Sequence, residues 1–265
     1  MRIIVPIKQV PETTNVKMDP VTGTMVREGV EAIINPLDLY AIEAAAQLKE
    51  KFGSKIVTIS MGPAKAEEAL REAIAMGCDE AILLTDKAFA GADTWATSYT
   101  LAQAIRRIGE FDLILCGERA TDGDTGQVGP GIAAWLDLPF ATYVSKIESI
   151  QDGEIIVERM VENGYEMLSM PMPCLLTVVK EINYPRLPSL KGKIAAKQKQ
   201  VAYWGTAEIG AQPNNIGLKG SPTRVVKIAT PQVARFGKIV QPKDEHELNR
   251  ALDELIDMLK QKAIL

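Results

Sequence analysis

Four times in the first 140 residues a short apolar, β-branched run is followed by a stretch of helical periodicity. Ile3-Ile4-Val5-Pro6-Ile7 opens the series, and its unbroken apolar character predicts a strand buried on both faces. Lys55–Ser60, Ala81–Thr85 and Phe111–Cys116 repeat that signature. Between and after them, helices are expected from Asn35-Pro36, from Ala64 to Met76, from Asp93 to Ile108 and from Gln127 to Leu136. Asn35 suits an N-cap and Pro36 the first helical turn. Such alternation, with short connections, leaves one economical solution: an α/β fold with a parallel sheet flanked by helices, Rossmann-like.

Ligands on sheets of this kind bind beyond the carboxyl ends of the strands. The segments to weigh are therefore Pro6–Glu12, Ser60–Pro63, Thr85–Asp93 and Gly117–Pro130. The last reads CGERATDGDTGQVGP, between a strand and a helix start. Its glycines let the backbone turn sharply and let a ligand approach. Free N–H groups at the following helix N-terminus attract anions, so a phosphate or pyrophosphate fits here. It has no GK[ST] and is not a P-loop, nor is it GxGxxG after the first strand. Asp122 and Asp124 would repel a phosphate if turned inward, so they are expected to cap, to bind backbone or to face ribose. A capped, glycine-rich helix lead-in without a ligand is the plainer alternative, as it is for the turn at Asn35-Pro36-Leu37-Asp38.

Past residue 140 the pattern changes. Ala141–Ile150, Glu154–Val161, Tyr165–Met170 and Leu175–Val179 predict antiparallel strands that extend or flank the parallel sheet, the first two joined by Gln151-Asp152-Gly153. The stretch from Lys180 to Gln200 turns basic, with Glu181 its one nearby acid, and reads as an exposed loop and linker. Residues 207–241 carry glycine and proline without periodicity, and an amphipathic helix follows from Lys243 to Gln261. These changes divide the chain into a nucleotide-binding domain at 1–200 and a C-terminal arm at 201–265.

Composition narrows the chemistry. The 265 residues contain one histidine, His246, which excludes a His dyad, a Ser-His-Asp triad within the chain or a multi-His metal site. Cys78, Cys116 and Cys174 form no CxxC pair, so neither catalytic residues nor metal ligands are expected. A net charge of −4 argues against general nucleic-acid binding. No apolar run is long enough to insert in a membrane, the N-terminus does not read as a signal peptide, and a cytoplasmic location is expected.

Several of these segments carry a resemblance. VPIKQVPE at Val5–Glu12, NPLDLYAIEAA at Asn35–Ala45, SMGPA at Ser60–Ala64, AMGCDEA at Ala75–Ala81, the CGERATDGDTGQVGP loop and EINYPRLPSLKGKIAAK at Glu181–Lys197 resemble the β subunits of electron-transferring flavoproteins, in that family's order. The resemblance implies a heterodimer with an α subunit that holds FAD, and an adenine nucleotide in the β subunit. It places Pro6 beside the nucleotide, Asn35, Pro36, Leu37 and Asp38 around adenine and ribose, Met61 at the next strand end, and Gly117, Arg119, Ala120, Thr121, Asp122, Gly123, Asp124, Thr125, Gly126, Gln127 and Val128 around the phosphates. One branch of the family binds AMP structurally; another binds a second FAD and bifurcates electrons. The AMP branch reads roughly DDDxNQTG in this loop, whereas Gly123 and Gly126 here remove side chains where a larger pyrophosphate could pass. FAD is therefore favoured over AMP. The implied partners are NADH, ferredoxin or flavodoxin, and an acyl-CoA dehydrogenase or quinone reductase. The segment 183–197 matches the family's partner-recognition loop, with Leu190 as anchor and Lys191, Lys193 and Lys197 around it. A structural AMP-binding subunit and a free-standing nucleotide-binding regulatory protein are the competing readings.

Overall fold

A computed structural model describes residues 1–12, 32–226 and 237–264. The chain separates into two units, Met1–Lys227 and Ile228–Leu265. In the first, β1 (Arg2–Pro6) sends Ile3 and Val5 into one half of the core and Ile4 into the other, as a strand covered on both faces must. The short strands β2 (Gln9–Pro11) and β3 (Ala32–Ile34) pair antiparallel beside it. Then come α1 (Pro36–Phe52), β4 (Lys55–Met61), α2 (Glu67–Met76), β5 (Glu80–Leu84), α3 (Thr94–Ile108), β6 (Leu113–Gly117) and α4 (Val128–Leu136). Apolar residues of α1 and α2 fill the core on one face of the sheet, and those of α3 and α4 fill it on the other.

The remaining elements are β7 (Phe140–Gln151), β8 (Glu154–Val161), β9 (Gly164–Pro171), β10 (Cys174–Val178), α5 (Leu190–Gln198), β11 (Ala202–Trp204) and α6 (Gly217–Gly220). The main sheet has the order β11-β5-β4-β1-β6-β10-β7-β8-β9. Only β8 and β9 enter through antiparallel pairings. Chain order reverses between β1 and β6, since β4 lies on one side of β1 and β6 on the other. That reversal opens the crevice where Pro6 and Gly117 end their strands.

Two expectations change here. The stretch Leu175–Val179 does not flank the sheet as an antiparallel strand: β10 runs parallel inside it, between β6 and β7. All five of its residues are buried, which a position with neighbours on both edges and cover on both faces requires. The sheet-bearing unit also continues past residue 200, because Ala202–Trp204 pairs in parallel with β5 as its edge strand.

In the second unit, α7 (Glu245–Gln261) begins at Asp244, whose carboxylate accepts from the Glu247 N–H at 2.8 Å. Leu248, Leu252, Leu255 and Ile256 stay between 41% and 46% exposed along it. The expected irregular segment before this helix lies in part, at 227–236, outside the described residues. Among the described residues no helix is long and apolar enough to cross a membrane.

Candidate functional site: a clasp and a loop at the strand ends

The turn Asn35–Asp38 sits over the crevice. Asn35 stands where an N-cap would, yet its side chain makes no capping bond to α1. Instead Nδ2 donates to the Arg119 carbonyl at 2.8 Å, and Oδ1 accepts from the Thr121 N–H at 3.1 Å. The residue is fully buried, so this amide ties the start of α1 to the loop after β6 with no competition from water. Asp38 does the same for two strand ends. Its Oδ2 accepts from the Lys8 N–H at 2.7 Å just beyond β1, and the Gly117 N–H at the end of β6 also donates towards it. Burial pushes the Asp38 carboxyl up to about 7, against the opposing pull of the Lys8 N–H, the Asn35 amide and the Lys8 charge. Gly117 is dictated by this closeness: a Cβ there would stand 2.5 Å from Asp38 Oδ1 and 2.8 Å from the Leu37 carbonyl.

Of the other residues expected at the nucleotide, Pro6 is the buried last residue of β1 and Met61 the half-buried last residue of β4. Pro36 is exposed and Leu37 half-buried in the first turn of α1. Ser60, next to Met61, is buried, and among the described residues its Oγ has no hydrogen-bond partner.

The loop from Gly117 to Gln127 is built differently. Thr121, Asp122, Gly123, Asp124 and Thr125 are exposed, while Ala120 and Gly126 are half-buried. Asp122 and Asp124 are held by cations rather than turned towards the helix start. Lys8 Nζ meets Asp122 Oδ1 at 2.7 Å, and an Arg119 terminal nitrogen meets Asp124 Oδ1 at 3.1 Å. Arg119 also lies 3.4 Å from Glu118, whose carboxyl is pushed up by partial burial. Gln127 accepts at 2.9 Å from Thr94 in the first turn of α3, fixing the far end of the loop. Gly126 has φ +63°, a left-handed conformation that disfavours side chains. A Cβ at Gly123 would meet no atom within 4 Å. Val128 opens α4, whose first N–H groups have no intrahelical acceptor. Among the described residues, no backbone carbonyl faces the N–H groups of Thr125, Gly126, Gln127 or Val128.

Exposed backbone donors, a helix N-terminus and open space over a glycine fit a phosphate-bearing nucleotide, with the acids neutralised at the rim. Lys8 is a residue that strand-and-loop reasoning passed over. Its N–H ties the end of β1 to Asp38 in α1 and its ammonium ties it to Asp122 in the loop, and its signal was its place just past a buried strand end.

The basic segment is not an open loop. Ser189 caps α5 by accepting from the Gly192 N–H at 3.0 Å, and Ala196 is buried. Arg186 bridges to Glu43 at 2.7 Å and to Glu50 at 2.5 Å, both on α1. Glu43 is buried, which by itself would raise its carboxyl, but the Arg186 guanidinium outweighs that and holds it below the ordinary range. So Glu181 is not the segment's only acidic neighbour. Leu190 stays 77% exposed at the start of α5, and Lys191, Lys193 and Lys197 lie along the same helix.

Fold and crevice define the class: a doubly wound α/β domain with a crevice where its strand order reverses. Residues 22–208 match the electron transfer flavoprotein domain. The chain is 49% identical over 266 residues to the electron transfer flavoprotein subunit beta of Thermoanaerobacterium thermosaccharolyticum, covering 100% of both chains. It is 47% identical over 266 residues to the caffeyl-CoA reductase-Etf complex subunit CarD of Acetobacterium woodii, again covering 100% of both. To protein FixA of Azotobacter vinelandii it is 42% identical over 268 residues, covering 98% of this chain and 95% of the relative. The chain belongs to the electron transfer flavoprotein family, as a β subunit.

Proposed function

We propose that the crevice holds an adenine nucleotide, FAD rather than AMP, and that the subunit takes part in flavin-based electron bifurcation. The observation that carries this reading is the loop before α4. It offers free N–H groups from Thr125 to Val128, open space at Gly123, and acids already drawn aside by Lys8 and Arg119. That opening suits a pyrophosphate and a ligand that continues beyond it. The relative named as a subunit of a caffeyl-CoA reductase-Etf complex supports a role within a larger redox assembly.

In this reading the turn at Asn35–Asp38 and the strand ends at Pro6 and Met61 line adenine and ribose. The stretch Gly117–Val128 carries the phosphates through its backbone. FAD in the crevice would supply hydride acceptance from NADH and release of single electrons, to ferredoxin or flavodoxin and, through the α-subunit FAD, to an acyl-CoA dehydrogenase or quinone reductase. The protein's own part is to bind, orient and shield. This also accounts for a chain with one histidine, since backbone amides rather than imidazoles do the holding.

Leu190, with Lys191, Lys193 and Lys197, provides an apolar anchor in a basic setting for the dehydrogenase, and the Arg186 bridges to α1 hold its base. The arm beyond the sheet, ending in the uncovered apolar row of α7, packs on the α subunit. The assembly works in the cytoplasm. The test is the flavin count of the purified αβ heterodimer. Two FAD per heterodimer are expected. One FAD together with a tightly held AMP overturns the bifurcating assignment and leaves a plain electron carrier.

A further inference from the structure

Tyr143 is the fourth residue of β7 and has φ +58°, a left-handed conformation that a bulky aromatic residue rarely adopts. It sits where the pairing of β7 with β10 slips, between the Ala141 and Val144 positions. The slip takes its N–H out of the strand ladder, and that N–H donates instead to Thr177 Oγ1 on β10 at 3.2 Å. The side chain is not there to fill the core: it is 46% exposed. It reaches the loop described above, its hydroxyl lying 3.9 Å from where a Cβ at Gly126 would be. Among the described residues that hydroxyl has no hydrogen-bond partner.

Thr177 fixes this placement from below. It is buried, and its methyl group lies 2.6 Å from where a Cβ at Gly129 would be, in the first turn of α4. One threonine thus touches the helix start with its methyl and the strained tyrosine with its hydroxyl. A backbone held in a disfavoured region, at a slip in the sheet, around an exposed phenol without a partner, is the pattern expected of a functional constraint rather than of packing.

Resting on the reading of the crevice as a nucleotide site, we propose that Tyr143 is a further ligand-binding residue, whose phenol O–H donates to a phosphate oxygen of the nucleotide seated on Gly126–Val128. The phenol approaches that position from the β7 side. The phosphate would then be held by backbone N–H groups together with a neutral side-chain donor. A neutral donor strengthens anion binding without drawing in a competing counter-ion.

The experiment uses the full-length chain freed of nucleotide and titrated with FAD and with AMP. Tyr143→Phe keeps the ring and the backbone and removes only the hydroxyl. It is expected to weaken binding about tenfold, as loss of a hydrogen bond to a charged group does, with the thermal midpoint of the nucleotide-free protein unchanged. Tyr143→Gly relieves the left-handed backbone, so it is expected to bind as weakly while its nucleotide-free form melts no lower than the wild type. If Tyr143→Phe binds both nucleotides as tightly as the wild type, the proposal is overturned and the site reading survives. If the wild type binds neither nucleotide, the site reading falls, and this proposal with it.

Discussion

The two halves of the crevice are opposite in construction. The turn Asn35–Asp38 is closed: Asn35 is fully buried and both ends of its amide are engaged, and Asp38 is buried against two strand ends. The loop at Gly117–Gln127 is open: five consecutive residues are exposed, and the N–H groups leading into α4 have no backbone acceptor among the described residues. Both segments look alike on paper, as turns that combine Asp with turn-forming residues, Asn-Pro in one and Gly in the other. The difference teaches that one is the hinge-pin of the site and the other its receiving surface. A polar group already satisfied inside the fold has little left to give a ligand.

The strongest way to break that comparison is through Asp38. The folded carboxyl is pushed up to about 7, above its ordinary 3.8. Between about pH 4 and 7 the folded state therefore binds more protons than the unfolded state, and stability falls as pH rises through that window, by up to about 1.4 kcal/mol per pH unit and on the order of 4 kcal/mol in all. Asp38→Asn, which cannot titrate, should flatten this slope in urea unfolding of the nucleotide-free protein from pH 4.5 to 7.5. An unchanged slope would show that burial does not raise this carboxyl in the folded protein.

Next come two identical substitutions at contrasting glycines. Gly117→Ala forces a methyl group into Asp38 and the Leu37 carbonyl, so the clasp should lose about 3 kcal/mol in denaturant unfolding. Equal stability with wild type would mean that the closed half can yield. Gly123→Ala places its methyl in open space and should shift stability by less than about 0.5 kcal/mol. Its effect belongs to binding: FAD affinity should drop more than AMP affinity if the longer ligand passes over this position. Equal losses for the two nucleotides would sharpen the site towards the smaller one.

How much of this was legible without coordinates follows from how local each cause is. The four strand–helix repeats are written in runs of Ile, Val and Leu and in helical spacing, so β1, β4, β5, β6 and their helices lie close to where periodicity puts them. Pairing partners are not local. Nothing in Cys174–Val178 states that it returns to lie between β6 and β7, and its four apolar residues around Thr177 speak only for burial. Asn35 obeys the composition of a cap, but its amide is claimed by a loop more distant in sequence. Arg186 looked unpaired because Glu43 and Glu50 belong to another stretch of the chain. At the site, the glycines and the helix start were readable, whereas Lys8 and Tyr143 were not. Their roles depend on a strand end and a sheet slip that only the folded chain creates.

The late return of β10 has a consequence for how the protein comes into being. Residues 174–178 supply the partner of β6 on one side and of β7 on the other, and Thr177 backs both α4 and Tyr143. A chain leaving the ribosome must therefore emit β7, β8 and β9 before the strand that seats β6 emerges. Until then the first strands can pair, but the crevice lacks its rear wall. On the proposed reading of the crevice, competence to bind a nucleotide is timed to the return of one buried strand, a non-local closure of the kind that makes assembly slow. Lengthening the hairpin turns at Asp152-Gly153 or Glu162-Asn163 would delay that moment without touching a residue of the site.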